Sequence, residues 1–179
     1  MTAIETELPE VYLQPGEVHL ARTPTILKTI LGSCVGVTFW SPRLGLGALC
    51  HGVLPRCPRG VRSPEGYRYV DFAIRELARQ MESLGAARAE VQIKVFGGAD
   101  TLPVAPTGRL RQTVGRQNGE SALATLRQEN LTVLVSELGG LAGRTIEFHT
   151  GTGEVLLHRL AQMASAPAAQ RRQPGNTEP

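Results

Sequence analysis

Two short apolar runs separated by a turn, in the stretch from Thr29 to Leu54, constrain the fold of this chain most strongly. The first run, 35–40, alternates large and small residues, and the second, 44–54, contains three glycines. A proline after the first run favours a turn there. The stretch therefore predicts a β-hairpin, with Cys34 just before its first strand and His51 within its second.

The register of this hairpin decides which side chains meet. A two-residue turn at 42–43 pairs Ser41 with Leu44. Continued along the strands, this register opposes Cys34 to His51, with Cβ atoms about 4.5–5.5 Å apart on one face. A slip of one residue would break that pairing. The predicted pair is one that hydrolases use, because a nearby imidazole can activate a thiol as a nucleophile.

The three cysteines form an odd set without the spacing of a secreted disulfide framework. Strand alternation turns Cys50 away from His51, so we expect it to be a small buried core residue. Cys57 lies in a proline-rich loop and is interpreted as incidental. The spacing fits no zinc pattern, and we expect neither a metal nor another cofactor. Free thiols are typical of a reducing cytoplasm.

Composition excludes several classes of function. A chain of 179 residues, 41% hydrophobic, suits one domain with a sizeable core. A net charge of +3 and only 4% aromatic residues argue against nucleic-acid binding. The apolar stretches are too short for membrane insertion, and the acidic start lacks a signal-peptide pattern. We therefore expect a cytoplasmic protein.

Periodicity predicts two helices among about eight strands in a single α/β (α+β) domain. The first helix runs from about Tyr69 to Leu84, with apolar residues at spacings of three and four and Gly85 as its C-cap. The second is predicted over 119–129, with Asn118 as its N-cap. A C-cap at Asn130 would end it.

The same reading sets the domain limits. Residues 1–10 are expected to be a disordered N-terminus, and 11–160 a folded domain. The stretch 161–179 is rich in Ala, Gln, Arg and Pro, which predicts a disordered tail.

Seven short sequence blocks follow one another along the chain, and their order as a set is specific for one protein family. They are L-G-S-C-V-G-V (31–37), C-H-G-V-L-P (50–55), Y-R-Y-V-D-F-A (67–73), K-V-F-G-G-A (94–99), V-G-R-Q-N (114–118), G-G-L-A-G-R-T-I-E-F (139–148) and G-E-V-L (153–156). In this order the chain resembles the chemoreceptor glutamine deamidases, the CheD proteins of bacterial chemotaxis. The resemblance implies a mixed β-sandwich core with helices packed on the outside, similar to the cytotoxic necrotizing factor-type deamidases.

The resemblance also implies an activity: a cysteine hydrolase that converts glutamines of methyl-accepting chemotaxis receptors to glutamates and releases ammonia. Cys34 would be its nucleophile and His51 its base, the pair that the hairpin register predicts. Main-chain N–H groups at 33–34 would hold the oxyanion, with Gly32 and Ser33 positioning the substrate.

A third catalytic residue is less well defined. Candidate partners for the imidazole are the polar residues Thr25, Lys28, Thr29, Ser33 and Thr38. The resemblance implies a threonine shortly before the cysteine, for which Thr29 is the match. Strand alternation turns Thr29 away from Cys34 unless Gly32 breaks the period. Lys28 would face the right way but cannot accept a proton from an imidazole.

Partners and rival functions follow from the same resemblance. The family also hydrolyses receptor methyl esters and binds CheC-type phosphatases. The alternatives are a non-catalytic module that regulates such a phosphatase, with an inert Cys34, and a transglutaminase-like amide hydrolase. One position departs from the family: Glu137 stands where an Asp commonly precedes the Gly-Gly pair.

Overall fold

The computed structural model describes residues 7–101 and 113–161, and within them the chain forms nine strands and two α-helices. The strands are β1 (Glu10–Tyr12), β2 (Val18–Ala21), β3 (Ile26–Leu31), β4 (Val35–Ser41), β5 (Leu46–Gly52), β6 (Gln92–Gly97), β7 (Val133–Leu138), β8 (Arg144–His149) and β9 (Glu154–Arg159). The helices are α1 (Val70–Ser83) and α2 (Val114–Gln128). The predicted mixed α/β class is confirmed, with one strand more than expected.

The two terminal segments predicted to be disordered, 1–10 and 161–179, fall mostly outside the described residues. Residues 1–6 and 162–179 lie beyond the described ranges, and so does most of the loop before α2. Glu10, assigned to the N-terminal segment from sequence, begins β1. Neither helix is both long enough and apolar enough to cross a membrane.

The strands form two sheets, and the helices cover one of them. The first sheet has the order β2-β5-β4-β6-β7 and the second β1-β3-β8-β9. Both are mixed, because β6–β7 and β1–β3 pair in parallel and the other neighbours antiparallel. Both helices pack against the five-stranded sheet. The layers are therefore helices, five strands and four strands, in line with the expected sandwich and outer helices.

Two apolar clusters hold these layers together. The helix-side cluster contains Val37, Phe39 and Cys50 from the hairpin, packed against α1 and α2. The inter-sheet cluster contains Leu49 and Phe148 and lies between the two sheets. Strands β4 and β5 are thus buried on both faces, which explains why they read as near-continuous apolar runs.

The first helix follows its prediction, whereas the second begins five residues earlier than expected. Gly85 follows α1 with φ +93° and ends it, as predicted. The N-cap of α2 is Thr113, whose hydroxyl accepts from the N–H of Arg116. Asn118 is therefore not a cap but lies inside α2. The Asn118-Gly119 step imitates a helix start, and only tertiary packing shows otherwise.

The predicted register of the β4–β5 hairpin is wrong by two residues. Gly36, and not Cys34, is the partner of His51. Two-residue hairpin turns require positive φ, which Pro42 cannot adopt. The chain instead uses the four residues 42–45, with Gly45 at φ +63°. Because the shift is an even number, His51 keeps the face that was predicted for it.

Candidate active site

Thr29 and His51 meet across the space between the two sheets. The inward face of β3 consists of Leu27, Thr29 and Leu31, all of them fully buried. From this face the Thr29 hydroxyl reaches the Nδ1 atom of His51 on β5, with an Oγ1–Nδ1 distance of 2.7 Å. His51 itself is only 2% exposed. The imidazole is therefore anchored by the opposite sheet.

The hydrogen bonds of Thr29 determine which nitrogen of His51 carries the proton. The hydroxyl has one proton, and it donates this proton to the main-chain carbonyl of Leu13 at 2.8 Å. Towards His51 it can then only accept, so Nδ1 must carry a hydrogen. The Nε2 atom has no hydrogen-bond partner among the described residues. His51 thus presents a free lone pair at Nε2, as a general base requires.

Cys34 stands at the end of a three-residue turn that carries the chain from one sheet to the other. Residues 32–34 leave β3 and enter β4 as a bend. The carbonyl of Gly32 accepts from the N–H of Ala99 at 2.9 Å, and that of Cys34 accepts from the N–H of Gly98 at 2.8 Å. The bend ends the strand period between Thr29 and Cys34, so the alternation argument against Thr29 does not apply.

The main-chain N–H groups of this turn are free to bind a ligand. Within the described residues, neither the Ser33 nor the Cys34 N–H donates to a main-chain carbonyl, and the Cys34 N–H lies against its own thiol. Strand β6 packs closely against this turn: a Cβ added to Gly97 would lie 2.2 Å from the Cys34 carbonyl oxygen. Gly97 also has φ +108°, a conformation that favours glycine.

Burial keeps both groups of the pair uncharged in the free protein. It raises the pKa of the half-buried Cys34 thiol, an effect that the residue's own main-chain N–H offsets in part. Burial also lowers the pKa of His51, opposed by the Leu13 carbonyl and the charge of Glu17. Both shifts favour a neutral thiol and a neutral imidazole over a thiolate–imidazolium pair.

The remaining sequence candidates lie away from this pair. Cys50 faces the helices with 1% exposure, opposite to His51, and burial raises its pKa to about 12. Cys57 is half-buried in the loop after β5. The carboxylate of Glu137 pairs with Arg159 at 3.0 Å. Within residues 7–101 and 113–161, no three His, Cys, Asp or Glu side chains are grouped to hold a metal ion.

Sequence comparison agrees with the resemblance. Residues 53–159, more than half of the chain, match the family model described as CheD chemotactic sensory transduction. A protein of Geobacter sulfurreducens named probable chemoreceptor glutamine deamidase CheD 2 is 42% identical over 160 residues, covering 89% of this chain and 96% of its own length. The chain belongs to the CheD family.

Other CheD proteins from distant bacteria match over similar lengths. The probable chemoreceptor glutamine deamidases CheD of Maridesulfovibrio salexigens and Pseudomonas savastanoi pv. phaseolicola are each 36% identical. They cover 87% and 92% of this chain, and 95% and 93% of their own lengths. Matches of this extent span positions 34 and 51, whereas the match to the family model begins at Val53, after both.

Proposed function

We propose that this CheD protein deamidates selected glutamines of chemoreceptors, with Cys34 as nucleophile, His51 as base and Thr29 as the residue that orients the base. The observation that carries the proposal is the Thr29–His51 contact, which leaves Nε2 of a buried, neutral imidazole without a partner. Cys34 precedes Gly36, the register partner of His51, by two residues. Cys34 lies in the bend just before β4, and no hydrogen bond joins its thiol to Nε2 of His51 in the free protein.

Acylation begins with the neutral pair. As the Cys34 sulfur attacks the side-chain carboxamide carbon, Nε2 of His51 takes the thiol proton. The carbonyl oxygen becomes an oxyanion, and the free N–H groups of Ser33 and Cys34 are its proposed donors. The carbon–nitrogen bond then breaks, and the imidazolium returns its proton to the leaving nitrogen. Ammonia departs and a thioester joins Cys34 to the receptor.

Deacylation reverses the roles around the same atoms. His51 removes a proton from water, and the resulting hydroxide attacks the thioester carbon. The carbon–sulfur bond breaks, and the sulfur recovers the proton that the imidazole holds. The net reaction consumes one water and one glutamine side chain and gives one glutamate and one ammonia. A receptor methyl ester would form the same thioester with loss of methanol, so we include methylesterase activity in the proposal.

Thr29 gives the base its direction in this scheme. When His51 becomes positively charged, its Nδ1–H still points to the threonine oxygen, whose own proton lies on the Leu13 carbonyl. This chain of two hydrogen bonds ends on a neutral carbonyl, so it stabilises the imidazolium less than a carboxylate partner would. Such a base returns its proton readily, which suits ammonia release.

Mass spectrometry of a receptor fragment tests the proposal directly. Incubation with the wild-type protein is expected to add about 1 Da to specific glutamines and to release an equal amount of ammonia. Cys34→Ala should lower the rate at least 10⁴-fold, as loss of a covalent nucleophile does elsewhere. Cys50→Ala is the matched control, since this thiol faces the helices, and it should remain active.

The outcome also separates the rival functions. Cross-links to added amines without the mass gain would indicate a transglutaminase-like enzyme. Full activity of Cys34→Ala would exclude the proposed mechanism, and an inactive wild-type protein that still binds a CheC-type phosphatase would indicate a regulatory module. The resemblance implies that an active enzyme also binds a CheC-type phosphatase. Co-purification of the two proteins tests this partner.

A further inference from the structure

A buried side chain of α2 connects the two chain segments that carry Cys34 and His51. Asn118 has no exposed surface. Its Nδ2 atom donates to the carbonyl of Ser33 at 2.9 Å and to the carbonyl of Val53 at 2.9 Å. Ser33 immediately precedes the candidate nucleophile, and Val53 follows the candidate base by two residues. One carboxamide therefore joins both halves of the proposed site.

The chemistry of this contact requires an amide. Both acceptors are carbonyl oxygens, so the group between them must supply two N–H donors, as an Asn side chain does. The opposite orientation of the amide would bring Oδ1 against two oxygen atoms. Oδ1 has no partner among the described residues. An Asp would repel both carbonyls, and an apolar residue would leave both unpaired.

The bond to Ser33 acts on a functional atom. The Ser33 carbonyl belongs to the same peptide unit as the Cys34 N–H, which is one of the two proposed oxyanion donors. A hydrogen bond to the carbonyl fixes the plane of that unit and polarises its N–H. The carbonyls of Gly32 and Cys34, on either side, are held by main-chain N–H groups. Only the central carbonyl of the turn depends on a side chain.

A neighbouring contact on α2 provides a natural comparison. One helical turn further on, the Ser121 hydroxyl donates to the carbonyl of Pro55. It is also largely buried and also ties α2 to the chain after β5. This hydroxyl donates to Pro55 and not to a carbonyl of the Cys34 turn. Loss of Ser121 thus tests the docking of α2, whereas loss of Asn118 also tests the position of the Cys34 peptide.

We infer that Asn118 is a positioning residue for the proposed reaction: it holds the Cys34 peptide and the end of β5 at a fixed separation and aims the Cys34 N–H at the oxyanion. The inference rests on the proposed function. Catalytic geometry is sensitive to displacements of about 1 Å, which can reduce a rate about 100-fold. The effect should appear in kcat, because the oxyanion exists only after substrate has bound.

The test compares Asn118→Leu, Asn118→Asp, Ser121→Ala and Cys34→Ala in ammonia release from a receptor fragment, with thermal unfolding measured alongside. We expect both Asn118 variants to lose about 100-fold in kcat with KM within about threefold of wild type. Ser121→Ala should lower the unfolding temperature yet keep its kcat within about threefold. Equal losses of kcat in Ser121→Ala and the Asn118 variants would overturn the inference.

Two further readouts keep the test decisive. If the Leu and Asp variants do not fold, Asn118→Gln retains the amide but moves it by one methylene, and we expect an intermediate loss of kcat. Wild-type kcat in that variant would contradict the inference. An inactive Cys34→Ala with fully active Asn118 variants would overturn this inference and leave the proposed function intact. An active Cys34→Ala would instead remove the proposed function.

Discussion

The two ends of the β4–β5 hairpin differ in how tightly the rest of the molecule surrounds them. At the turn end, a Cβ added to Gly45 would meet nothing within 4 Å. At the open end, a Cβ on Gly97 would lie 2.2 Å from the carbonyl oxygen of Cys34. The Cys34 turn and the strand end after His51 are also joined by Asn118. The Cys34 turn is therefore enclosed by β6 and α2, whereas the backbone at Gly45 is open, although Gly47 behind it packs against Thr150.

The largest expected effect comes from a matched pair of glycines, one at each end. Gly97→Ala forces a methyl group into the Cys34 carbonyl at a positive φ, so we expect a loss of about 3 kcal/mol or more in unfolding free energy. Gly45→Ala carries only the strain of its φ of +63°, about 1–2 kcal/mol. Urea denaturation compares the two. Similar losses in both variants would show that the ends are not packed differently.

Activity should separate the same two glycines. Gly97→Ala displaces the Cys34 turn, so the protein that remains folded is expected to release ammonia about 100-fold more slowly. Gly45→Ala should match wild type, since its turn lies at the far end of the hairpin. A Gly97→Ala protein with normal turnover would mean that the β6 contact does not position Cys34.

Two buried threonines, one near each end of the hairpin, allow the same comparison with smaller expected effects on kcat. Thr29→Val removes the oxygen that holds Nδ1 of His51, so kcat should fall about 10- to 100-fold. Thr150→Val is the control: its hydroxyl, equally buried, accepts from the Thr25 N–H at 2.9 Å and donates to the Thr25 carbonyl at 3.0 Å, beside the turn end. It should lose about 1–3 kcal/mol of stability and keep its kcat.

Steady-state kinetics on both valine variants, at equal folded fraction, measures this difference. If Thr150→Val slowed turnover as much as Thr29→Val, the orienting role of Thr29 would be untenable, because only general destabilisation would be common to the two.

The smallest expected effect is a pH profile. Because the pKa of His51 is lowered, kcat/KM should decline only as the pH falls below about 6.5, where the imidazole gains a proton. Because the pKa of Cys34 is raised, the upper limit should lie above about 8.5. The result is a broad plateau. A narrow optimum near pH 6 would contradict the neutral pair.

Alkylation by iodoacetamide provides an independent check on the thiols. Cys34 should label faster as the pH rises above about 8.5, in step with formation of its thiolate. Cys50, fully enclosed and with its pKa raised to about 12, should remain unlabelled in the native protein. Rapid labelling of Cys34 at pH 6 would instead show a preformed ion pair.

Local periodicity accounts for the parts of the fold that could be predicted. The apolar spacing of α1 and the cap at Gly85 lie within one stretch of chain, and the prediction was correct to within a residue at each end. Strand β8 was predicted with its observed bounds. Cys50 was assigned to the core because alternation along one strand is sufficient to place it.

The predictions that failed depend on contacts between distant segments. The hairpin register depends on a turn that Pro42 lengthens, and turn length cannot be read from the strands themselves. The alternation argument against Thr29 also failed, because the contact of Thr29 with His51 depends on two sheets facing each other, which alternation along a single strand cannot show. Local propensity predicts a helix cap at Asn118, because Asn favours that position, whereas its amide binds carbonyls 85 and 65 residues away.

The alternation of Cys50 and His51 along β5 also bears on how this family can change in length. One residue inserted before His51 would turn the imidazole into the helix-side cluster and bring a different side chain to Thr29. Substitutions along β5 leave that phase intact, but insertions and deletions do not. Length variation among descendants of this chain should therefore collect in 56–66, beyond the carbonyls of Val53 and Pro55 that α2 holds, or in 42–45 in steps of two.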